Sequence, residues 1–555
     1  MTGQPPILEP NLRAAPAHAR RRWWLHRSEW AIRLMRLPVS HEPPDAPGLL
    51  MIQIDGLGRG EAEKALAAGR LPTLARLMAG DGYRLHDLYA GLPSSTPAVQ
   101  GELFYGRRTA VPAFSYVDRQ TGEERRMYDP DAAGAVEDRL QAESEGLLTG
   151  GSAYSDIYTG GAQEAHFCAA SLGFSDLVKS ADPWSFFAFL LSNLVTFPRT
   201  AALAVVEAGL AVVDAVRGVF RLGELWHELK FVPTRVAIAI LMRDLITVGA
   251  GIDLVRGLPV VHVNYLGYDE QAHRRGPASA FAHWSLRGID GAVGKLLRAA
   301  RRSPRRSYRV WVYSDHGQEP VTPYAELAGR SIEAAVEAVF DRHGRSALAE
   351  ATAGPPAAVI ADGCGRGEQA CRAAYLGGDR LQRAMPRFPA AGEGGRVRLA
   401  AMGPVGHVYP DGALSPAQRE ALGMALAVEA RVPMVMAAGA EGEATVWTAA
   451  GARHTLPDTA SAVLGSGHPY RDAAAADLVA LAHHADSGAF VLIGWSPDPA
   501  VGSVSFPFEH GAHAGPGPAE LTGFALLPPD DAVEGAFLRP SDLRQQALTR
   551  IGRQS

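Results

Sequence analysis

Three aspartates stand where apolar runs end. Asp55 closes Gly48-Leu49-Leu50-Met51-Ile52-Gln53-Ile54, and Asp315 closes Tyr308-Arg309-Val310-Trp311-Val312-Tyr313-Ser314. Asp269 follows Leu258-Pro259-Val260-Val261-His262-Val263-Asn264-Tyr265-Leu266 after Gly267-Tyr268. Carboxylates gathered at one edge are costly unless cations neutralise them, so this pattern predicts a metal site. Histidines accompany them. His273 lies four residues after Asp269, on the same face of a helical turn. His316 is next to Asp315 at a strand end, where adjacent side chains splay apart, and His510 or His513 adds a further ligand. Mixed Asp/His donors suit zinc or manganese. A nucleophile is available in Pro93-Ser94-Ser95-Thr96-Pro97-Ala98-Val99-Gln100. A hydroxyl followed by proline reads first as a helix cap. The same helix N-terminus offers free N–H groups to a phosphate, and a nearby metal would activate the hydroxyl.

These residues need elements that hold them. The run 48–54 has Pro47-Gly48 before it and Gly56 and Gly58 after it, as expected of a buried parallel strand. Ligands sit beyond the carboxyl ends of such strands. The predicted class is α/β, a mostly parallel central sheet flanked by helices. Residues 1–46 form an N-terminal arm with a helix over 20–37, and 47–179 the first part of the catalytic core, with a crossover helix over 61–79 and a strand at 85–88. The glycine-rich stretch 150–161 shows neither helical nor strand periodicity. Residues 180–256 form an apolar helical insertion, 257–345 the second part of the core, 346–488 a smaller accessory region, and 489–555 the last part of the core. Helices are expected over 331–340, 415–430 and 476–484 and a strand over 489–494, and a last apolar segment spans 522–527.

The 555 residues are 47% hydrophobic and 20% charged, with a net charge of -5. That is the composition of an ordinary globular protein, without the basic excess of a nucleic-acid binder. Cys168, Cys364 and Cys371 lack the spacing of a disulfide framework or a cysteine zinc site. The N-terminus has no uninterrupted apolar core of a secretory signal, so the expected location is cytoplasmic. In 200–221 the polar residues Glu207, Asp214, Arg217 and Arg221 fall on one narrow stripe, and Trp184-Ser185-Phe186-Phe187-Ala188-Phe189-Leu190-Leu191 is too short to cross a bilayer. With the Trp- and Arg-bearing helix at 20–37, this block reads either as a cap over the site or as a surface docked peripherally on the inner face of a membrane.

The order of motifs is Asp55-Gly56, Pro93-x-x-Thr96 with Gly106, Asp269-x-x-x-His273-x-x-Gly276-Pro277, Ser314-Asp315-His316-Gly317 and Gly511-x-His513. This order resembles the alkaline phosphatase superfamily, and most of all its type I phosphodiesterase/nucleotide pyrophosphatase branch. The resemblance covers residues 47–320 and 500–530. It implies two divalent ions, zinc or alternatively manganese. Asp269, His273 and His513 would hold one; Asp55, Asp315 and His316 would hold the other, with Thr96 coordinated to it as the nucleophile. It implies a phosphohydrolase acting on a small-molecule or lipid-like phosphoester, most simply a diester, through a phosphothreonine. Spacing within the family pattern prefers Thr96 to Ser94 and Ser95, and His513 to His510. The chain departs from the family where a phosphate-binding Asn is expected three residues after the nucleophile and Val99 stands instead. Either Gln100 contacts the substrate in its place, or the phosphoryl oxygens rely on metals and backbone. The alternatives are a phosphomonoesterase or phosphotransferase on a lipid-like phosphoester, and an inactive membrane-associated scaffold.

Overall fold

The computed structural model describes residues 28–171, 237–348, 397–531 and 535–553. The apolar run Pro47–Ile54 is the middle strand of a seven-stranded sheet. Across the sheet the order is Arg84–Tyr89, Thr522–Leu527, Ser307–Ser314, Pro47–Ile54, Val260–Tyr265, Ser152–Tyr154 and Glu164–His166. Thr522–Leu527 is antiparallel to both neighbours, and the other pairings are parallel. Ile54 pairs with Tyr265 and Gln53 with Tyr313. The three aspartate-bearing strands are therefore adjacent and end at one level, and this register brings the carboxylates to a single edge.

Ser152–Tyr154 corrects the reading of 150–161 as structureless, since it pairs in parallel with Val260–Tyr265. The strand is too short to show a period. It enters the sheet at Gly151, where a Cβ would lie 2.1 Å from the Val260 carbonyl oxygen. The single crossover helix expected over 61–79 is two helices, Arg59–Ala67 and Pro72–Gly80. Gly69 turns at φ +64 between them, and proline opens the second. The N–H groups of Thr73 and Leu74 are taken by the distant Asp290 carboxylate, at 2.9 and 3.2 Å.

The tail of the 180–256 block packs against the helices of the first sheet. Helix Arg243–Arg256 buries Ile246, Ala250 and Leu254 with Leu286, Ile289 and Val293 of helix Ala280–Ala300. It then delivers the chain to Val260–Tyr265 as an ordinary crossover. Helix 200–221, the run 184–191 and the first part of helix 20–37 lie outside the described residues. Residues 28–34 are helical, with Ala31 and Ile32 packed on Ile252 and Val255. Among the described residues no helix is long and apolar enough to cross a membrane.

A second, antiparallel sheet follows, ordered Val397–Met402, Val405–Pro410, Phe490–Ile493, Met434–Ala438, Ala444–Thr448 and Arg453–Leu456. Phe490–Ile493, expected in the last core segment, lies in the middle of this sheet. Helix Ile332–Leu348, expected at the end of the second core segment, packs Val336, Val339 and Phe340 with Leu422 and Leu426 of helix Pro416–Val428. These apolar faces find their partners only in three dimensions. Helix Pro416–Val428 begins with a Ser415/Gln418 capping box, a local signal. Arg471–Ala482 starts earlier than the expected 476. The second unit is tied to the core by Arg539, which lies between Glu102 and Asp477 at 3.2 Å from each.

Candidate metal centre and nucleophile

At the carboxyl edge, Asp55, Asp315 and His316 each place a ligand atom within 4.8 Å of the others. His316 Nε2 lies 3.6 Å from Asp55 Oδ1 and 3.3 Å from Asp315 Oδ2. Gly56 follows Asp55 at φ +67, and a Cβ there would meet Asp269 Oδ1 at 2.3 Å. The glycine is thus required for the second carboxylate to approach. Asp269 and His273 project from helix Gly267–Arg275. Their Oδ2 and Nε2 atoms are 3.3 Å apart. His513 arrives on the loop ahead of Thr522–Leu527, with Nε2 3.9 Å from Asp269 Oδ1. Asp269, His316 and His513 form a second group within 4.8 Å, and the His316 and His513 rings stack with centroids 3.8 Å apart. His316 thus lies between the two groups, and His273 joins the second through Asp269.

The imidazoles are aimed. His273 Nδ1 contacts the Gly511 carbonyl at 3.0 Å, His316 Nδ1 that of Gly317 at 2.9 Å and His513 Nδ1 that of Ser94 at 2.8 Å. A carbonyl can only accept, so each Nδ1 carries the proton and each Nε2 lone pair is left for a cation, as in metal-ligating histidines. Outer contacts hold the carboxylates: Asn264 Nδ2 donates to Asp55 Oδ2 at 2.6 Å, and Gln318 Nε2 to Asp269 Oδ1 at 2.6 Å. His273 Nε2 and Asp315 Oδ2 are buried and make no well-aligned hydrogen bond, each standing 3.3 Å from an ionisable neighbour, Asp269 Oδ2 and His316 Nε2. Native interiors rarely leave such atoms so poorly satisfied. These donors fit divalent cations.

The electrostatics point the same way. Burial raises Asp315 above the usual carboxylate range against the pull of His316. Burial also opposes ionisation of Asp269, but His273, His513 and His316 outweigh it and hold that carboxyl well below its ordinary value. Burial and the neighbouring His316 push His513 down. For His273 burial is overcome by Asp269 and Glu509, which raise it. These carboxylates demand positive charge at close range.

Thr96 opens helix Thr96–Tyr105, whose N-cap is the extended Ser95 and whose first turn contains Pro97. Thr96 Oγ1 lies 3.4 Å from Asp55 Oδ1 and 3.3 Å from His316 Nε2. Ser94 Oγ is occupied, donating to the Gly515 carbonyl at 3.0 Å and accepting from Ala514 N–H at 3.1 Å. No side-chain cap bond is made at this terminus, so the capping role that a hydroxyl before proline suggests in sequence is not exercised. Gln100 is engaged at both ends: Nε2 donates to Asp156 Oδ1 at 2.9 Å, and Oε1 accepts from Ile157 N–H at 2.8 Å. The His510 ring sits edge-on to Phe508 at 5.6 Å and is in neither ligand group. Sequence reasoning did not single out Asn264 or Gln318. An amide inside an apolar strand was the available signal for Asn264. A third group, Glu164, His166 and Asp253, already holds the Arg256 guanidinium.

A mostly parallel sheet thus carries Asp/His groups suited to divalent cations at its carboxyl edge. A model of the type I phosphodiesterase / nucleotide pyrophosphatase family matches residues 49–357, more than half of the chain, and the chain belongs to that family. Among solved structures, phosphonoacetate hydrolase from Sinorhizobium meliloti 1021 in complex with phosphonoacetate is 14% identical, with a TM-score of 0.43, over 92% of this chain and 96% of that one. Murine ectonucleotide pyrophosphatase/phosphodiesterase 5 in complex with AMP is 11% identical, with a TM-score of 0.47, over 92% of this chain and 96% of that one. Among curated proteins, none matches this sequence.

Proposed function

We propose that the protein is a two-metal phosphodiesterase that works through a phosphothreonine on Thr96. The observation that carries this reading is the Thr96 hydroxyl, at a helix N-terminus and within 3.4 Å of both Asp55 Oδ1 and His316 Nε2. Asp55, Asp315 and His316 would hold one ion with Thr96, and Asp269, His273 and His513 the other. The oxygen and imidazole donors favour zinc, with manganese as the alternative. Bound ions would supply Lewis-acid stabilisation of the attacking and leaving oxygens. Thr96 Oγ1 attacks phosphorus, the ester oxygen opposite leaves as the alcohol, and water hydrolyses the phosphothreonine to release the monoester. The N–H groups at the start of helix Thr96–Tyr105 face the phosphoryl oxygens. With both ends of its amide bonded within the protein, Gln100 supports the helix, and the phosphoryl oxygens depend on the ions and backbone.

Turnover of chromogenic phosphomonoesters and phosphodiesters, measured after metal is restored, tests this reading. Diesters are expected to be the better substrates. A monoester preference would replace the reading with a phosphomonoesterase or phosphotransferase, and full metal occupancy without turnover would leave an inactive scaffold.

Peripheral attachment to a membrane and a lipid-like substrate belong to the same proposal. They rest on the apolar composition of 200–221 and 184–191. In flotation with anionic liposomes at low salt the full chain is expected to rise with the vesicles, and a chain lacking 183–236 to stay behind. If the full chain stays in the soluble fraction, membrane attachment is rejected.

A further inference from the structure

One tier below the metal ligands the sheet face is polar where its lower part is apolar. Leu49, Met51, Val260 and Trp311 pack in the core beneath. Above them Gln53 and Tyr313 project in register, two residues before Asp55 and Asp315, and His262 projects from the adjoining strand one step lower, in register with Met51. Asp156, just past Ser152–Tyr154, and Gln100 of the Thr96 helix complete a closed ring. His262 Nδ1 is 2.8 Å from Asp156 Oδ2, and His262 Nε2 is 2.6 Å from the Tyr313 hydroxyl. Tyr313 donates to Gln53 Oε1 at 3.1 Å, and Gln100 Nε2 reaches Gln53 Oε1 at 3.4 Å and Asp156 Oδ1 at 2.9 Å. None of the five side chains is more than 2% exposed.

Burying such groups is expensive, and an apolar tier of equal volume would stabilise the fold at least as well. The ring has something else to specify. Thr96, Gln100 and Phe104 lie four residues apart on one stripe of the helix. Thr96 meets Asp55 and His316, Gln100 is bonded into the ring, and Phe104 sits edge-on to His262 at 5.0 Å. Hydrogen bonds are directional where apolar packing is not, so the ring fixes both rotation and axial position of this stripe. The tier also reaches the ligands: Asn264, paired with Gln53 in register, donates to Asp55.

We propose that Asp156, His262, Tyr313, Gln53 and Gln100 are positioning residues that set the register of the Thr96 helix against the metal-ligand edge. The proposal rests on Thr96 being the nucleophile. It is tested with Tyr313→Phe, which opens the ring without touching the helix, and with Gln100→Met, which cuts the helix from it. Kinetics use bis(4-nitrophenyl) phosphate, with metal content and Tm measured on the same samples. For fully metal-loaded, folded enzyme, kcat is expected to fall about 10- to 100-fold with KM nearly unchanged, since sub-ångström displacement of a reacting group acts on the chemical step. Hydrogen exchange in residues 98–101 is expected to quicken in Tyr313→Phe while the rest of the sheet stays protected. Wild-type kcat with a lowered Tm, or unaltered exchange in 98–101, would reduce the ring to a packing feature and overturn the proposal. Thr96→Ala in the same assay separates the two readings. If it still turns over substrate, the nucleophile assignment fails, and exchange alone decides whether the ring holds the helix.

Discussion

Thr96→Ala is expected to lower turnover by about 10⁴-fold or more, the scale at which removal of a covalent nucleophile acts. Metal content and the melting transition should be little changed. The hydroxyl sits at the edge of the Asp55/His316 group without being one of its carboxylate or imidazole ligands. The substitution removes the hydroxyl and one methyl group and keeps Cβ, so the buried helix start loses a single methyl of packing. Acid-quenched wild-type enzyme should carry a phosphate on the peptide containing Thr96, and the alanine variant should not. Ser94→Ala and Ser95→Ala are the controls. Ser94 is committed to the Ala514–Gly515 backbone, so its loss should loosen the His513 loop rather than remove the nucleophile. Phosphate on Ser95, or near-normal turnover by Thr96→Ala, would move the chemistry to another hydroxyl.

The second large effect is expected from the ligands. Asp315→Asn should lose one equivalent of metal and nearly all turnover, because the 0% exposed carboxylate is central to its group and an amide cannot supply the charge a cation needs. His273→Ala should lose the other equivalent, with the first retained. Metal that binds only the folded chain stabilises it by about 2.7 kcal/mol at one hundred times its Kd. Added zinc should therefore raise Tm in the wild type, by less in either variant, and not after both sites are removed. Elemental analysis with thermal melts reads both outcomes. His513→Ala should behave as His273→Ala does, and retention of both metals in it would point to His510. Unchanged stoichiometry in Asp315→Asn would reject the two-site assignment.

Much of this site is visible before folding because its signals are local. An apolar run that stops on Asp-Gly, a DxxxH turn and an Asp-His pair at a strand end each occupy a few consecutive residues. So does the Ser-Thr-Pro opening of a helix, and backbone geometry already says what such residues do there. The motif order of Asp55, Thr96, Asp269, Asp315 and His513 gives the family, and the family model over 49–357 agrees. The apolar segment 522–527 has the bounds of strand Thr522–Leu527, although only its pairing shows that it is a strand.

Tertiary structure decides what depends on partners far apart in the chain. The antiparallel entry of Thr522–Leu527 between Arg84–Tyr89 and Ser307–Ser314 brings the chain after His513 back to the carboxyl edge, and no local pattern encodes that pairing. Ser152–Tyr154 is a strand only because Gly151 lets it approach Val260. Phe490–Ile493 reads as a strand anywhere, but its sheet is chosen by Val405–Pro410 and Met434–Ala438 on either side. The same holds for side-chain direction. Helical spacing puts Gln100 on the face of Thr96, yet its amide is taken by Asp156 and Ile157, both more than fifty residues away. Sequence determines which residues can ligate, cap or attack, because that follows from covalent structure and near neighbours. Which of them meet is set by burial of apolar faces and satisfaction of buried polar atoms, and those conditions exist only once distant segments have packed.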